Sequence, residues 1–441
     1  MLHSDALKNR SRLFPTSFTR ERTLTFAKIL LLMTRKSVKS LQNMLNETEI
    51  YLSNVLDKDL KTVSNSAYSQ ARKNLNYTAF IELSNGVGNK FYEDDDYQTF
   101  KGFRLLGVDG SIVTLPNNDD TRQEFGFTNV INQHKDKSKK IVQARASLLY
   151  DVLNSVVVDA VLTDTKTHEI KIAKNQHLQH VKENDLIIFD RGYPSYEMFA
   201  SITHTCKADY LIRIKKITYK KYTAPLFDKD NDVNDIVVSL TPATKEVEGI
   251  CKEENLPEII QVRFVKVVLD NGDIEVLATS VLDKEKLRTS DLKELYFQRW
   301  KIETCYEIIK NRLALENFTG ESVLAIKQDF YATMFISNIE AAVIFDLNIE
   351  LQEDRDKKKQ KQQRKVNKSI SFNTIKNYAF ELFYFEGDVG EIIEKIYKLL
   401  QTNTVAIRPN RHYKRPTKSE GKITKGIKSA NFQKRKKKVV F

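Results

Sequence analysis

Residues 18–85 place apolar positions at helical spacing, most clearly over 23–34, 37–46 and 66–75, with Ser or Thr near each start. After an acidic loop at 93–96 the pattern changes. Residues 103–115 read as a strand ending in a turn, 141–149 and 152–162 as two further strands joined tightly, and 168–182 as an amphipathic helix. Leu186-Ile-Ile-Phe189 is a short apolar run of the buried-strand type that ends at Asp190; 193–202 then reads as a helix and 210–214 as a strand. Three strands followed by helix, strand, helix, strand predict a mixed α/β fold. Residues 215–283 are strand-rich (236–240, 261–269, 274–281), with Asn271-Gly272 as a hairpin signal. A long helix is expected over 290–312 and others over 322–347 and 374–402, with the Lys/Gln-rich stretch 355–368 between them as a loop or mobile helix end. The expected organisation is therefore a helical domain at 1–98, an α/β core in two parts (99–214 and 285–350) separated by a β-strand insertion at 215–284, and a helical region with a basic tail at 351–441.

Composition narrows this picture. The 441 residues are 41% hydrophobic and 10% aromatic, enough for a sizeable core. The net charge of +13 is concentrated: 408–441 holds 13 Lys/Arg against Glu420, and 355–368 holds eight against Asp356. Those segments carry +19 together, which leaves −6 for the rest of the chain. Such clustering fits a polyanion partner, or a solvated basic tail with no specific partner. Cys206, Cys251 and Cys305 lie far apart with no CxxC pair, so neither a disulfide framework nor a zinc ribbon is expected, and a reducing compartment fits. The most apolar early run, 26–33, is too short to span a bilayer and contains Lys28. These features predict a soluble, intracellular protein with no membrane partner.

The candidate chemistry lies on the helix that contains Tyr296, Arg299, Glu303 and Lys310. At about 100° per residue, these four fall within an arc of about 60°. Leu295, Ile302, Tyr306, Ile309 and Leu313 form an apolar stripe beside them. The carboxylate suits a hard cation, Arg299 and Lys310 suit phosphate oxygens, and Tyr296 can stack or hydrogen-bond. An ordinary wet face with an Arg299–Glu303 i,i+4 pair is the plain alternative. Two further carboxylates change the balance. Asp109 interrupts the apolar strand Leu105-Leu-Gly-Val-Asp-Gly-Ser-Ile-Val113, and Asp190 ends the next apolar run, before Arg191. A carboxylate there is costly unless it is paired or metal-bound, although Asp190 could instead cap the following helix.

These segments resemble bacterial insertion-sequence transposases of the insertion-sequence-four family. The family's pattern Y-x2-R-x3-E-x6-K is matched at Tyr296, Arg299, Glu303 and Lys310; Val108-Asp-Gly-Ser111 resembles its first-aspartate strand and Phe189-Asp-Arg-Gly-Tyr193 its second. Phe318-Thr-Gly320, the 66–75 segment and the closing Arg408-Pro-Asn-Arg-His-Tyr-Lys-Arg415 are similar too. The resemblance implies an RNase H-like core with a β insertion, and a helical N-terminal domain that binds terminal inverted repeats. It further implies a homodimer that synapses double-stranded DNA ends and target, with catalysis in trans. The catalytic set would be Asp109, Asp190 and Glu303, holding two Mg²⁺ ions for which Mn²⁺ can substitute; Tyr296, Arg299, Lys310 and Arg191 would hold phosphates. Asp109 would bridge both ions, with Asp190 on one and Glu303 on the other, an arrangement that stabilises attacking and leaving oxygens. A cytoplasmic, nucleoid-associated bacterial enzyme of DNA transposition and recombination is expected.

Other features are set aside or left open. Ser66, Gln70 and Lys73 share a face that suits either DNA contact or plain solvent exposure. Glu307, one turn after Glu303, rivals it by geometry, and only the motif spacing decides against it. His177-Leu-Gln-His180 lacks metal-site companions and reads as a helix surface, while Gly86-Val-Gly88 reads as a plain turn. Relatives stack a tryptophan of the insertion on a flipped base. Trp300, the single tryptophan, is expected on the core, so Tyr219, Tyr222 or Phe264 would have to serve. The competing functions are a catalytically dead or domesticated transposase acting as a DNA-binding protein, and a cellular nuclease without strand transfer.

Overall fold

The structure is a computed structural model that describes residues 1–20, 23–36, 39–56, 60–93, 96–132, 137–357, 362–384 and 388–407. The basic tail at 408–441, with its Arg408–Arg415 motif, lies outside the described residues. Five helices come first: α1 (Asp5–Ser11), α2 (Phe26–Thr34), α3 (Leu41–Leu56), α4 (Asn65–Arg72) and α5 (Thr78–Glu93). Next are β1 (Arg104–Thr114), α6 (Asp119–Phe125), β2 (Thr128–Asn132), β3 (Lys137–Ile141), β4 (Gln143–Asp151) and β5 (Val156–Asp164). The middle holds α7 (Glu169–Asn175), β6 (Asp185–Phe189), α8 (Tyr196–Ala200), β7 (Asp209–Ile214), α9 (Lys220–Phe227), β8 (Asp235–Leu240), α10 (Lys245–Glu253), β9 (Ile260–Val268) and β10 (Ile274–Thr279). The chain closes with α11 (Thr289–Gln298), α12 (Trp300–Asn311), α13 (Val323–Lys357), β11 (Arg364–Val366), α14 (Lys368–Phe383), α15 (Val389–Thr402) and β12 (Thr404–Ala406).

The chain divides into two compact units: residues 1–94, 112–144 and 307–441 form one, and 95–111 with 145–306 form the other. The first is helical. α2 and α4 start at side-chain caps: the Lys28 amide donates to Thr25 Oγ1 and the Ala67 amide to Ser64 Oγ, each satisfying an otherwise orphan donor. α13 packs against α5, α2 and α14. By length and composition α13 could cross a membrane, but most of its apolar stretch is buried within the protein, as a core helix requires. Gly86 and Gly88 lie inside α5 and do not form the expected turn. Two helical glycines cost about 1 kcal/mol each. Burial of Ala79, Phe80 and Leu83 offsets that cost, and Gly86 leaves room for the Met1 side chain. The expected 374–402 helix is two helices, α14 and α15, and β11 pairs with β12 where a loop was expected.

The second unit is built on an eight-stranded mixed sheet of order β5-β4-β1-β6-β7-β10-β9-β8. β1, β6 and β7 run parallel, whereas β7, β10, β9 and β8 pair antiparallel in turn. The strands expected as an insertion therefore continue the central sheet, with α9 before β8 and α10 between β8 and β9. Local periodicity marks a strand without naming its neighbour. On one face Leu106, Val108, Phe189, Phe199, Tyr210 and Phe264 belong to a single apolar cluster. Gly107 is where α12 meets β1: a Cβ there would lie 3.1 Å from Val152 and 3.7 Å from Ile302. Arg104 and Asp185 hold the start of the β1–β6 pair through two buried hydrogen bonds of 2.7 Å.

Candidate active site

In the sheet unit, β1 carries Asp109, and Asp190 follows the last residue of β6, the parallel neighbour of β1. Glu303 sits in the first turn of α12. The helix expected over 290–312 is broken at Arg299, where the Arg299 amide bonds to Tyr296 O (3.2 Å) and the Ile302 amide to Arg299 O (3.1 Å). These are tight i→i+3 bonds. The apolar stripe is buried as its spacing requires, with Leu295, Ile302 and Ile309 each 0% exposed. Arg299 is also buried, at 5% exposure, and does not line a wet ridge.

Each carboxylate has a defined electrostatic surrounding. Burial pushes Asp109 up to about 6; the Gly110 amide and Arg299 oppose this, while Glu169 and Glu303 add to it. Burial also acts to raise Asp190, but the Arg191 amide, the Arg213 and Arg299 guanidiniums and the Tyr296 hydroxyl bring it below the ordinary value. Tyr296 donates to Asp190 Oδ1 at 3.1 Å, and Arg213 Nη2 stands 3.2 Å from the same oxygen. Arg299 Nη2 donates to Glu303 Oε1 at 3.0 Å. The Arg299 guanidinium feels Asp190, Glu303 and Asp109 together. Tyr306 locks the strand below by donating to Asp109 O (2.8 Å) and Ala146 O (2.9 Å).

The donor set is all oxygen, which suits a hard divalent cation. Burial leaves the Asp109 carboxylate only partly compensated by Arg299, a deficit that a bound cation would relieve. Among the described residues no three His, Cys, Asp or Glu side chains are already gathered as a ligand set. Arg191 is exposed. Lys310 belongs to the first unit, where it donates to Ile112 O at 2.6 Å and burial lowers its pKa.

The sequence reading missed three members of this cluster. Arg213 bridges Asp190 and Glu275, the latter at 2.5 Å. Its only sequence signal is a charge inside the strand Tyr210-Leu-Ile-Arg-Ile214. Glu169 is a fourth carboxylate, ion-paired with Arg145 and set directly over Gly110, where a Cβ would meet Glu169 Oε1 at 2.6 Å. Tyr193 is 2% exposed, and among the described residues its hydroxyl has no hydrogen-bond partner.

Three expectations are corrected. Trp300 is not packed on the core; it is 38% exposed, with the Arg299 guanidinium 5.1 Å from its ring centre. Of the proposed substitutes, Phe264 is fully buried and Tyr219 stacks on Phe199. His177 is not surface: it is 0% exposed, joined to Ser147 Oγ (2.8 Å) and Asp159 Oδ2 (2.7 Å). That hydroxyl–imidazole–carboxylate line has the order of an acyl-transfer triad, but Ser147 is also 0% exposed, out of reach of any substrate. Glu307 is exposed.

The raised pKa of Asp109 has a consequence for stability. Its folded pKa is about 6 against an ordinary 3.8, so between these values the folded state holds a proton that the unfolded state has lost. That contribution is complete below about 4 and disappears as pH rises through 6. With divalent cations chelated, Asp109→Asn is expected to raise stability at pH 7.5 by up to about 3 kcal/mol and to have no effect at pH 4. Urea unfolding at the two pH values is the check; an unchanged midpoint at pH 7.5 would show that the carboxylate is well solvated.

The profile of the transposase DDE domain family matches residues 101–339. That span includes Asp109, Asp190 and Glu303 and more than half of the chain. Among solved structures, a piggyBac transposase synaptic complex with hairpin DNA, determined by cryo-electron microscopy, is similar at a TM-score of 0.40 and 9% identity, covering 90% of this chain and 77% of that one. No curated protein matches the sequence. The chain belongs to the DDE-domain transposase family.

Proposed function

We propose that this protein is a bacterial transposase of the insertion-sequence-four family that cleaves DNA at the ends of its element and joins them to a target by cut-and-paste transposition. One observation carries the reading: the matched DDE-domain span holds Asp109, Asp190 and Glu303, and the Arg299 guanidinium, bonded to Glu303 at 3.0 Å, lies within the electrostatic influence of all three. An RNase H-like core is supported by the order β5-β4-β1-β6-β7, with Asp109 on β1 and Asp190 just after the end of its parallel neighbour β6. Asp109, Asp190 and Glu303 would hold the divalent cations, two Mg²⁺ with Mn²⁺ able to substitute, which neutralise phosphate charge and activate water when bound. Tyr296 and Arg213 fix the Asp190 carboxylate. Arg299 and Arg191 are the cations for phosphates beside the cut in this reading.

The partner in this reading is double-stranded DNA, both terminal inverted repeats and target, engaged by a homodimer on the nucleoid in the cytoplasm. The helical segment 1–98 would bind the ends, with Ser66, Gln70 and Lys73 exposed on and just beyond α4. The test is the full chain with Mg²⁺ and DNA that carries the inverted repeats flanking its gene. New 3′-OH ends at the repeat boundary are expected. Binding without cutting, in Mg²⁺ and in Mn²⁺, would overturn the enzymatic reading in favour of a dead transposase. Deleting 408–441, which removes 13 Lys/Arg, is expected to weaken DNA affinity and flatten its salt dependence. The slope changes by about 0.9 for each phosphate that is no longer neutralised; an unchanged slope would remove the tail from the interface.

A further inference from the structure

We infer that Arg299 is a built-in counter-cation: its guanidinium holds the place among Asp109, Asp190 and Glu303 that a divalent cation takes, and cation entry displaces it. The inference rests on the cation reading above. Carboxylates that converge in a half-buried site need a compensating charge. Arg299 supplies it from 5% exposure, bonded to Glu303 at 3.0 Å and within the field of the other two. Its attachment is loose for a buried guanidinium, because its Nε has no hydrogen-bond partner among the described residues. The Arg213 Nε likewise has no partner among the described residues, but that guanidinium is held by two carboxylates, Asp190 at 3.2 Å and Glu275 at 2.5 Å, where Arg299 is ion-paired with Glu303 alone among the described residues. Arg299 also occupies the break between α11 and α12. Its guanidinium lies over two rings, 5.7 Å from the centre of Tyr296 and 5.1 Å from that of Trp300. A guanidinium released from the carboxylates is a mobile cation at the place where phosphates must be held, so one residue serves both states of the site.

Trp300 makes this measurable, because it is the only tryptophan in the chain and is 38% exposed. Departure of the Arg299 guanidinium changes the surroundings of its indole. The full chain, without DNA, is titrated with Mg²⁺ while Trp300 emission and binding heat are recorded, with KCl as the ionic-strength control. A saturable emission change that tracks the heat is expected for the natural sequence. Arg299→Gln is expected to bind Mg²⁺ more tightly, on the order of three- to tenfold, because a competing charge is gone, and to show no emission change. Unchanged emission during measurable Mg²⁺ binding, or weaker binding in Arg299→Gln, overturns the displacement while leaving the cation site standing. If neither the natural chain nor Asp109→Asn takes up Mg²⁺, the cation reading itself fails. Far-ultraviolet circular dichroism of Arg299→Gln, expected to match the natural protein, shows that a binding change is not misfolding.

Discussion

Asp109→Asn, Asp190→Asn and Glu303→Gln are each expected to lower DNA-end cleavage by about a thousandfold, whereas Glu307→Gln stays within about twofold. Preorganised charge at a reacting phosphate supplies several kcal/mol of transition-state stabilisation, and removal of one essential group typically costs two to three orders of magnitude. Each substitution keeps the size of the side chain and removes only the anionic oxygen. With Asp190→Asn, Tyr296 and Arg213 can keep an amide oxygen as acceptor but lose its negative charge; with Glu303→Gln, Arg299 likewise loses its charged partner. Glu307 is exposed on the next turn and serves as the control. The measurement is single-turnover cleavage of end DNA at matched occupancy, so that binding is separated from chemistry. Wild-type-like cleavage by any of the three would remove that residue from the catalytic set.

The second large effect is structural. Arg72, the last residue of α4, is 3% exposed and donates to Asp329 Oδ1 (2.9 Å), Gln328 Oε1 (2.9 Å), Thr319 Oγ1 (2.7 Å) and Ala325 O (3.0 Å). Gln328 returns two bonds, to Arg72 O and Leu75 O. Among the described residues, Arg72→Ala leaves the buried Asp329 carboxylate hydrogen-bonded to Thr319 alone, so a destabilisation of about 3–5 kcal/mol is expected. Equilibrium urea unfolding measures it, and a change below about 1 kcal/mol would mean that water replaces the guanidinium. Ser66→Ala or Lys73→Ala, on the exposed positions of the same segment, should stay within about 0.5 kcal/mol. The segment thus separates a face that holds the fold from one that is free to meet a partner.

Much of the site is legible in the sequence because its carriers break a local pattern. Asp109 is a charge inside an apolar strand, Asp190 ends one, and Glu303 sits at fixed spacing from Tyr296 and Arg299. What is not legible depends on which strands become neighbours. Arg213 reaches Asp190 only because β7 pairs with β6, and Glu169 covers Gly110 only after α7 folds over β1. The burial of His177 likewise needs Ser147 and Asp159, from two different strands. The exposure of Trp300 is hidden because the spacing implies a continuous helix across Arg299, and the tight turn there changes which way each side chain faces. The glycines of α5 mislead because local propensity argues for a turn, while packing on α13 favours a helix.

The division of the chain also sets an order of assembly on the ribosome. The sheet unit is complete once residue 306 has emerged, whereas the helical unit draws on 1–94, 112–144 and 307–441. Its earliest helices are therefore made first and finished last. α5 waits for α13, and Arg72 waits for Asp329, across 257 residues of chain still to be translated. During that interval α2 and α5 lack the helix they pack against, and a nascent chain that stops before α13 has its sheet unit but no completed helical unit.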